Sequence, residues 1–209
     1  NIIDSLKWRY ATKEYDATKK LSPEQLNLLL ESLRLSPSSF GMQPWKFVLV
    51  NNAEVRAKLR EAAWGQTQVT DASHLIVISV LKNVDENLIK KYIKVISEVR
   101  GVSEENLKGF EDMMIGAVNM KSPEARIEWA TRQAYIALGV LLTTAAHEQI
   151  DATPMEGFDP KKFDEILGLD KMGLESKVMV ALGFRSQNVG IANVAKVRFP
   201  MEEVVVEIK

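Results

Sequence analysis

The chain has no cysteine and only two histidines in 209 residues. The first absence removes disulfides, thiolate nucleophiles and cysteine-rich metal sites together. His74 and His147 stand beside or inside apolar stretches, without a partner at metal-ligand spacing. A structural role is the plainer reading for both, and no metal is expected. Glycine-rich phosphate loops are missing as well, since neither G-x-G-x-x-G nor a Walker A pattern occurs. A nucleotide, if bound, would have its phosphate held by side-chain cations. No G-x-S-x-G is present, which argues against a serine hydrolase built on a nucleophile elbow. Neither sign of charge is in excess: Lys and Arg number 27 against 28 Asp and Glu, so no nucleic-acid or anionic-membrane partner is expected. The longest uncharged run, Gln133 to Ala146, is too short to span a bilayer, which takes roughly 20 apolar residues. Asn1-Ile2-Ile3-Asp4 lacks the pattern of a signal peptide, and a cytoplasmic location is the default expectation.

What is present suits a globular protein. Hydrophobic residues make up 46% and charged residues 26%, a balance that allows a sizeable core. No repeat, low-complexity tract or linker divides the chain, so residues 1–209 read as one α+β domain. Asp4 is a candidate cap for a short first helix. Ser22-Pro23-Glu24-Gln25 opens a helix whose face is Leu26, Leu29, Leu30 and Leu33. Asn52 can cap another. Asp85 starts a third, stopped by Gly101, and Ser103 caps the next; these two, at about 84–121, resemble a helical lid-like insertion. Ser122-Pro123 opens the longest helix, apolar nearly all round in its second half, and Asp159-Pro160 opens one that ends at Gly168. Lys46–Val50, Leu75–Leu81, Lys177–Leu182 and the tail Glu203–Ile208 read as strands.

Between the Leu-rich helix and the first strand lies Ser36-Pro37-Ser38-Ser39-Phe40-Gly41-Met42-Gln43-Pro44-Trp45. Turn formers account for a loop there, but not for adjacent hydroxyls, a glycine and an amide pinned between prolines. Pro44 is expected to push Gln43 towards extended geometry. Trp64-Gly65-Gln66-Thr67-Gln68 is a second polar, aperiodic break. Arg9 and Lys13 lie in a third aperiodic stretch. Lys196 and Arg198 alternate, so on an extended chain both would face one side and could meet one dianion, although solvated surface charges remain the simpler reading.

Several blocks occur in one order: Arg9-Tyr10-Ala11-Thr12-Lys13, Ser36–Ser39 with Gln43-Pro44-Trp45, Asp71-Ala72-Ser73-His74, Pro154-Met155-Glu156-Gly157-Phe158-Asp159, and Lys196-Val197-Arg198. In this the chain resembles the FMN-dependent nitroreductases, the branch of oxygen-insensitive NAD(P)H nitroreductases and dihydropteridine reductases. The resemblance runs over essentially the whole chain. It implies a central mixed, mainly antiparallel sheet surrounded by helices, with the C-terminal strand extending onto a partner subunit. It also implies a homodimer with FMN at the interface and NADH or NADPH as donor. The implied activity is ping-pong, two-electron hydride transfer through flavin N5 to nitroaromatics, quinones or related acceptors. Flavin or dihydropteridine reduction is the alternative on the same scaffold, and a non-enzymatic FMN-binding protein is the second. By the same match Arg9, Lys196 and Arg198 would grip the phosphate, with Tyr10 and Ala11 beside it, and Lys13 would lie at the pyrimidine edge, also near substrate. Gln66 and Gln68 would face the ring edge. Glu156 and Gly157 would present backbone amides near N5, and Pro154 and Met155 would also bind the cofactor. Ser38, Ser39 and Gly41 would reach the partner's flavin, and Phe40 and Phe110 would contact substrate. No side chain is expected to act as an essential acid or base, because the chemistry belongs to the cofactor. Two departures stand out: Ala11 replaces a common Ser and Gly41 a common Asn.

Overall fold

The computed structural model describes residues 1–187 and 194–208. Four strands form one sheet in the order β1 (Trp45–Val50), β2 (His74–Leu81), β4 (Leu174–Gly183) and β3 (Asp151–Met155). All three pairings are antiparallel, so the parallel component of a mixed sheet is not formed within one chain. Side-chain alternation on the inner strands divides the interior. Ile76, Ile78, Val80, Val178, Val180 and Leu182 enter one core, and Leu75, Val77, Met179 and Ala181 enter the other. Buried on both faces, β2 needs the continuous apolar run that makes it readable in the sequence.

The larger core is completed by α2 (Pro23–Arg34), α5 (Glu86–Arg100), α6 (Lys108–Asn119) and α7 (Pro123–His147). The smaller is completed by α3 (Ala53–Ala62), α4 (Gln68–Asp71) and α8 (Pro160–Leu167). Local chemistry sets their ends. Ser22 and Gln25 form a reciprocal capping box before Pro23, Ser122 caps α7 through the Ala125 amide, and Asp159 caps α8. Gly101 and Gly168 stop α5 and α8 in left-handed geometry. α1 (Ile2–Trp8) is capped by Asn1, and Asp4 is its third helical residue, where it closes the capping box.

Two differences from the sequence expectations have physical reasons. β3 carries Pro154 and was not expected as a strand. Proline is tolerated there because β3 is an edge strand, paired only with β4, and leaves its other side free of ladder bonds. The expected final strand over Glu203–Ile208 is absent within the chain. Met201–Val204 form the single turn α9, and 205–208 take no strand assignment. The apolar side chains Val204, Val205, Val206 and Ile208 are 54–88% exposed. Tyr135 and Ile136, in the apolar half of α7, remain exposed on the surface of the single chain.

Candidate functional site

The aperiodic stretch after α1 is fixed by a chain of hydroxyls. The Tyr15 hydroxyl donates to Thr153 Oγ1 and to the Ala181 carbonyl, at 2.9 and 2.7 Å, and Thr153 Oγ1 donates to the Thr12 carbonyl at 3.0 Å. Tyr10 and Thr12 share a hydroxyl contact of 2.9 Å. Burial, more than any charge, raises the Tyr15 phenol well above its ordinary range, so it stays protonated and donating. Arg9, Tyr10 and Ala11 are thereby held against the sheet, and Lys13 projects exposed just beyond buried Thr12.

On this platform lies the segment 194–198. Together they line a groove of about 410 Å³ whose walls include Arg9, Tyr10, Ala11, Lys196 and Arg198. The Lys196 ammonium donates to the Leu6 carbonyl at 2.9 Å and to the Arg9 carbonyl, tying the tail to the end of α1. Four cations, Lys7, Arg9, Lys196 and Arg198, line it, with no carboxylate among the groove's walls. Burial first, and then the Arg198 charge, lowers the Arg9 pKa; burial, Arg9 and Arg198 lower that of Lys196. Arg9 Nε is buried without a hydrogen-bond partner. An unpaired buried donor amid mutually repelling cations is a site short of an anion, and a phosphate dianion fits that donor set.

A second part of the site sits at the far end of β3. Asp151, whose charge supports Arg9, begins the strand, and Glu156 follows its end, a span of roughly 16 Å at strand rise. Tyr135, Leu138, Pro154, Met155, Glu156 and Val178 line a groove of about 330 Å³ there. The Tyr135 hydroxyl donates to the Glu156 carboxylate. Partial burial, followed by that carboxylate, raises the Tyr135 pKa and keeps the phenol protonated. The Glu156 and Gly157 amides find no acceptor among the described residues. Gln66 Nε2 donates to the Gly157 carbonyl at 2.6 Å, bracing this turn. A Cβ on Gly157 would stand 3.1 Å from the exposed Trp64 ring, which limits the position to a small residue. Gln68, the first residue of α4, is buried.

The loop before β1 is strained. Phe40, Gly41 and Gln43 have φ of 57°, 75° and 48°. Gln43 is therefore left-handed rather than extended; its amide receives Oγ of Ser38 as acceptor at 3.0 Å, and its carbonyl accepts from Trp45, holding the turn against the preference imposed by Pro44. Gln133 Oε1 of α7 accepts the Ser39 amide at 2.8 Å. The Tyr92 hydroxyl of α5 lies 2.1 Å from where a Gly41 Cβ would be, so no side chain fits at 41 while Tyr92 keeps its place. Phe40 meets Phe110 of α6 edge-on, with centroids 6.4 Å apart.

The fold thus gathers Arg9, Tyr10, Ala11, Lys196 and Arg198 in one groove and Pro154–Gly157 with Gln66 at another; Ser38–Gly41, Phe40 and Phe110 form a third cluster. Sequence reasoning missed Trp8, Trp64, Gln133, Tyr135, Asp151 and Arg185. A lone Gln inside a helix and a lone Asp opening an edge strand carry no local signal. Exposed Trp64, at a glycine break, could have drawn notice. Larger surface grooves exist near Lys82–Glu175 (about 790 Å³) and Val55–Ile166 (about 510 Å³), but their walls mix Lys with Asp or Glu and converge on no unpaired donor. His74 accepts or donates at Ser73 Oγ, 2.9 Å away, in a structural contact. Among the described residues no cluster of potential metal ligands occurs, and no helix is long and apolar enough to cross a membrane.

Comparison with known proteins gives the chain a family and its fold relatives. The model of the nitroreductase family matches residues 6–184. A Staphylococcus epidermidis protein, provisionally named an NAD(P)H nitroreductase, is 41% identical over 203 residues, covering 89% of this chain and 88% of its own. Among solved structures, a Bacillus subtilis protein provisionally named a nitroreductase superposes with a TM-score of 0.88 at 21% identity, over 99% of this chain and 98% of the other. Another, from Exiguobacterium sibiricum and solved in complex with FMN, superposes with a TM-score of 0.83 at 21% identity, over 100% and 97%. The sequence match over most of the chain, and the fold it shares, make this chain a member of the nitroreductase family.

Proposed function

We propose that the protein is an FMN-dependent oxidoreductase that uses NADH or NADPH to reduce nitroaromatics, quinones or related acceptors. The observation that carries the reading is the groove in which Arg9, Lys196 and Arg198 converge around a buried, unpaired donor. When bound, FMN would supply the hydride-transfer chemistry. The chain supplies the rest. Arg9, Lys196 and Arg198 hold the phosphate, with Tyr10 and Ala11 packed alongside. Glu156 and Gly157 present free amides to the reactive edge, and Pro154 and Met155 floor it. Gln66 and Gln68 flank the ring edge, and the Lys13 ammonium lies near the pyrimidine edge, where positive charge favours an electron-rich ring. Phe40 and Phe110 close over the acceptor, with α5 and α6 serving as a lid-like insertion in a single domain.

The working unit in this reading is a homodimer. Ser38, Ser39 and Gly41 serve the partner's flavin, and the tail completes its strand on the partner's sheet. Its support is the tail's exposed apolar residues together with exposed Tyr135 and Ile136 on α7. The test is direct: the purified protein is yellow and bleaches when NADH or NADPH is added without oxygen. A protein that takes up no FMN overturns the reading. An acceptor panel with both nicotinamides then separates nitroreduction from flavin or dihydropteridine reduction.

A further inference from the structure

Arg185 does not line the cation groove, yet it touches both neighbours of Arg9. Its guanidinium carbon lies 4.2 Å from the Trp8 ring centroid and 4.6 Å from that of Tyr10. It is therefore held between the two aromatic side chains that bracket Arg9 in the sequence. The anchor for this clamp is Asp151, which is 3% exposed. Its carboxylate accepts the Arg185 backbone amide at 2.9 Å and Nε at 3.0 Å, and Nη2 pairs with it at 2.7 Å. The backbone on either side is tied down too: Tyr15 and Arg185 form an isolated bridge, the Asp16 amide donates to Phe184 and the Ser186 amide to Glu14. Arg9 Nε has no hydrogen-bond acceptor among the described residues, and Arg185 Nη2, although 2.7 Å from the Asp151 carboxylate, makes no directed hydrogen bond either. The direction of Arg9 is left to the backbone and to the packing of Trp8 and Tyr10.

Resting on the FMN reading above, we infer that Arg185 is a positioning residue for phosphate binding, aiming Arg9 into the groove through its stacking between Trp8 and Tyr10. Its planar guanidinium is suited to this. Its Nε bonds both oxygens of Asp151 while the guanidinium stacks on two rings, and the compact ammonium of a lysine cannot do both. The role sets how well the phosphate is held and leaves the isoalloxazine contacts alone.

The experiment compares FMN with riboflavin, which lacks the phosphate, by quenching of flavin fluorescence on the flavin-stripped full chain. Arg185→Lys keeps a charge for Asp151 while losing the Nε bonds and the stacking, so it is the variant of choice if Arg185→Ala does not fold. The expected result is an FMN affinity lower by about ten-fold, the worth of one charge-assisted hydrogen bond, with riboflavin affinity unchanged. In an Arg9→Ala background the same Arg185→Lys change is expected to cost no further FMN affinity. Equal losses for both flavins, or an undiminished loss without the Arg9 side chain, overturn the inference and leave Arg185 a scaffold residue. A parent protein that shows no preference for FMN over riboflavin overturns the phosphate reading itself, which is a separate outcome.

Discussion

Strand β2 and the tail 194–208 are built from similar residues and use them in opposite ways. In β2, Leu75, Ile76, Val77, Ile78 and Val80 are completely buried. In the tail, Val197, Phe199, Val206 and Ile208 are 75–88% exposed. Composition is not the difference; the availability of a partner is. β2 has β1 and β4 on either side and a core on each face, whereas the tail has no ladder partner among the described residues. The same run of exposed apolar side chains carries Lys196 and Arg198 to the cation groove. The sheet end of the site, Pro154–Gly157, sits at the end of a paired strand, whereas the tail is tied to its own chain at the groove by the Lys196 ammonium on the Leu6 and Arg9 carbonyls.

The largest break in that comparison is deletion of 194–208. It removes two of the four groove cations, Lys196 and Arg198, and FMN affinity should fall by about 100-fold or more if each phosphate contact is worth roughly 1.5–3 kcal/mol. Fluorescence titration measures it, and sedimentation should show a monomer whose circular dichroism is otherwise preserved. Next, Ile78→Ala in β2 should destabilise the fold by about 2–5 kcal/mol, read from denaturant midpoints. Third, Arg9→Ala, which spares the tail, should weaken FMN by about ten-fold or more while riboflavin changes little. Fourth, Val206→Ser should leave monomer stability within about 0.5 kcal/mol but raise the protein concentration at which dimers form, seen by sedimentation. A Val206→Ser variant that unfolds like Ile78→Ala would show that the tail belongs to this chain's own core.

The smallest effect concerns pH. Burial, then Arg56 and Lys20, lowers the His74 pKa in the folded state. The neutral ring is favoured by folding, so its contribution is full above the unfolded value of about 6.5 and is lost as pH falls through the lower folded value. Thermal melts should show Tm falling below about pH 6.5, with part of that slope absent in His74→Asn.

Much of the frame was legible because its signals are local. Ser22-Pro23, Ser122-Pro123 and Asp159-Pro160 satisfy orphan amides where the sequence says helices begin, and β2 is apolar because both its faces are covered. β3 was not legible, since Pro154 is tolerated only by virtue of its edge position, a property of the sheet and not of the segment. The tail was read as a strand from its own pattern, which says nothing of where a partner strand lies. The groove cations were named through resemblance to a family; alternation alone left Lys196 and Arg198 as plain surface charges. What no local pattern announces is the linkage between distant residues: Gln133 to Ser39, Gln66 to Gly157, and Asp151 to Arg185.

The contact of Tyr92 with Gly41 has a bearing on how this sequence can change. Any residue with a Cβ at 41 collides with the phenol while Tyr92 stands, and at φ 75° most side chains would be strained even after it is gone. Asn is among the few residues at ease in that backbone region. For position 41 to carry a side chain, the Tyr92 phenol must therefore swing away or be lost, so the two positions are coupled.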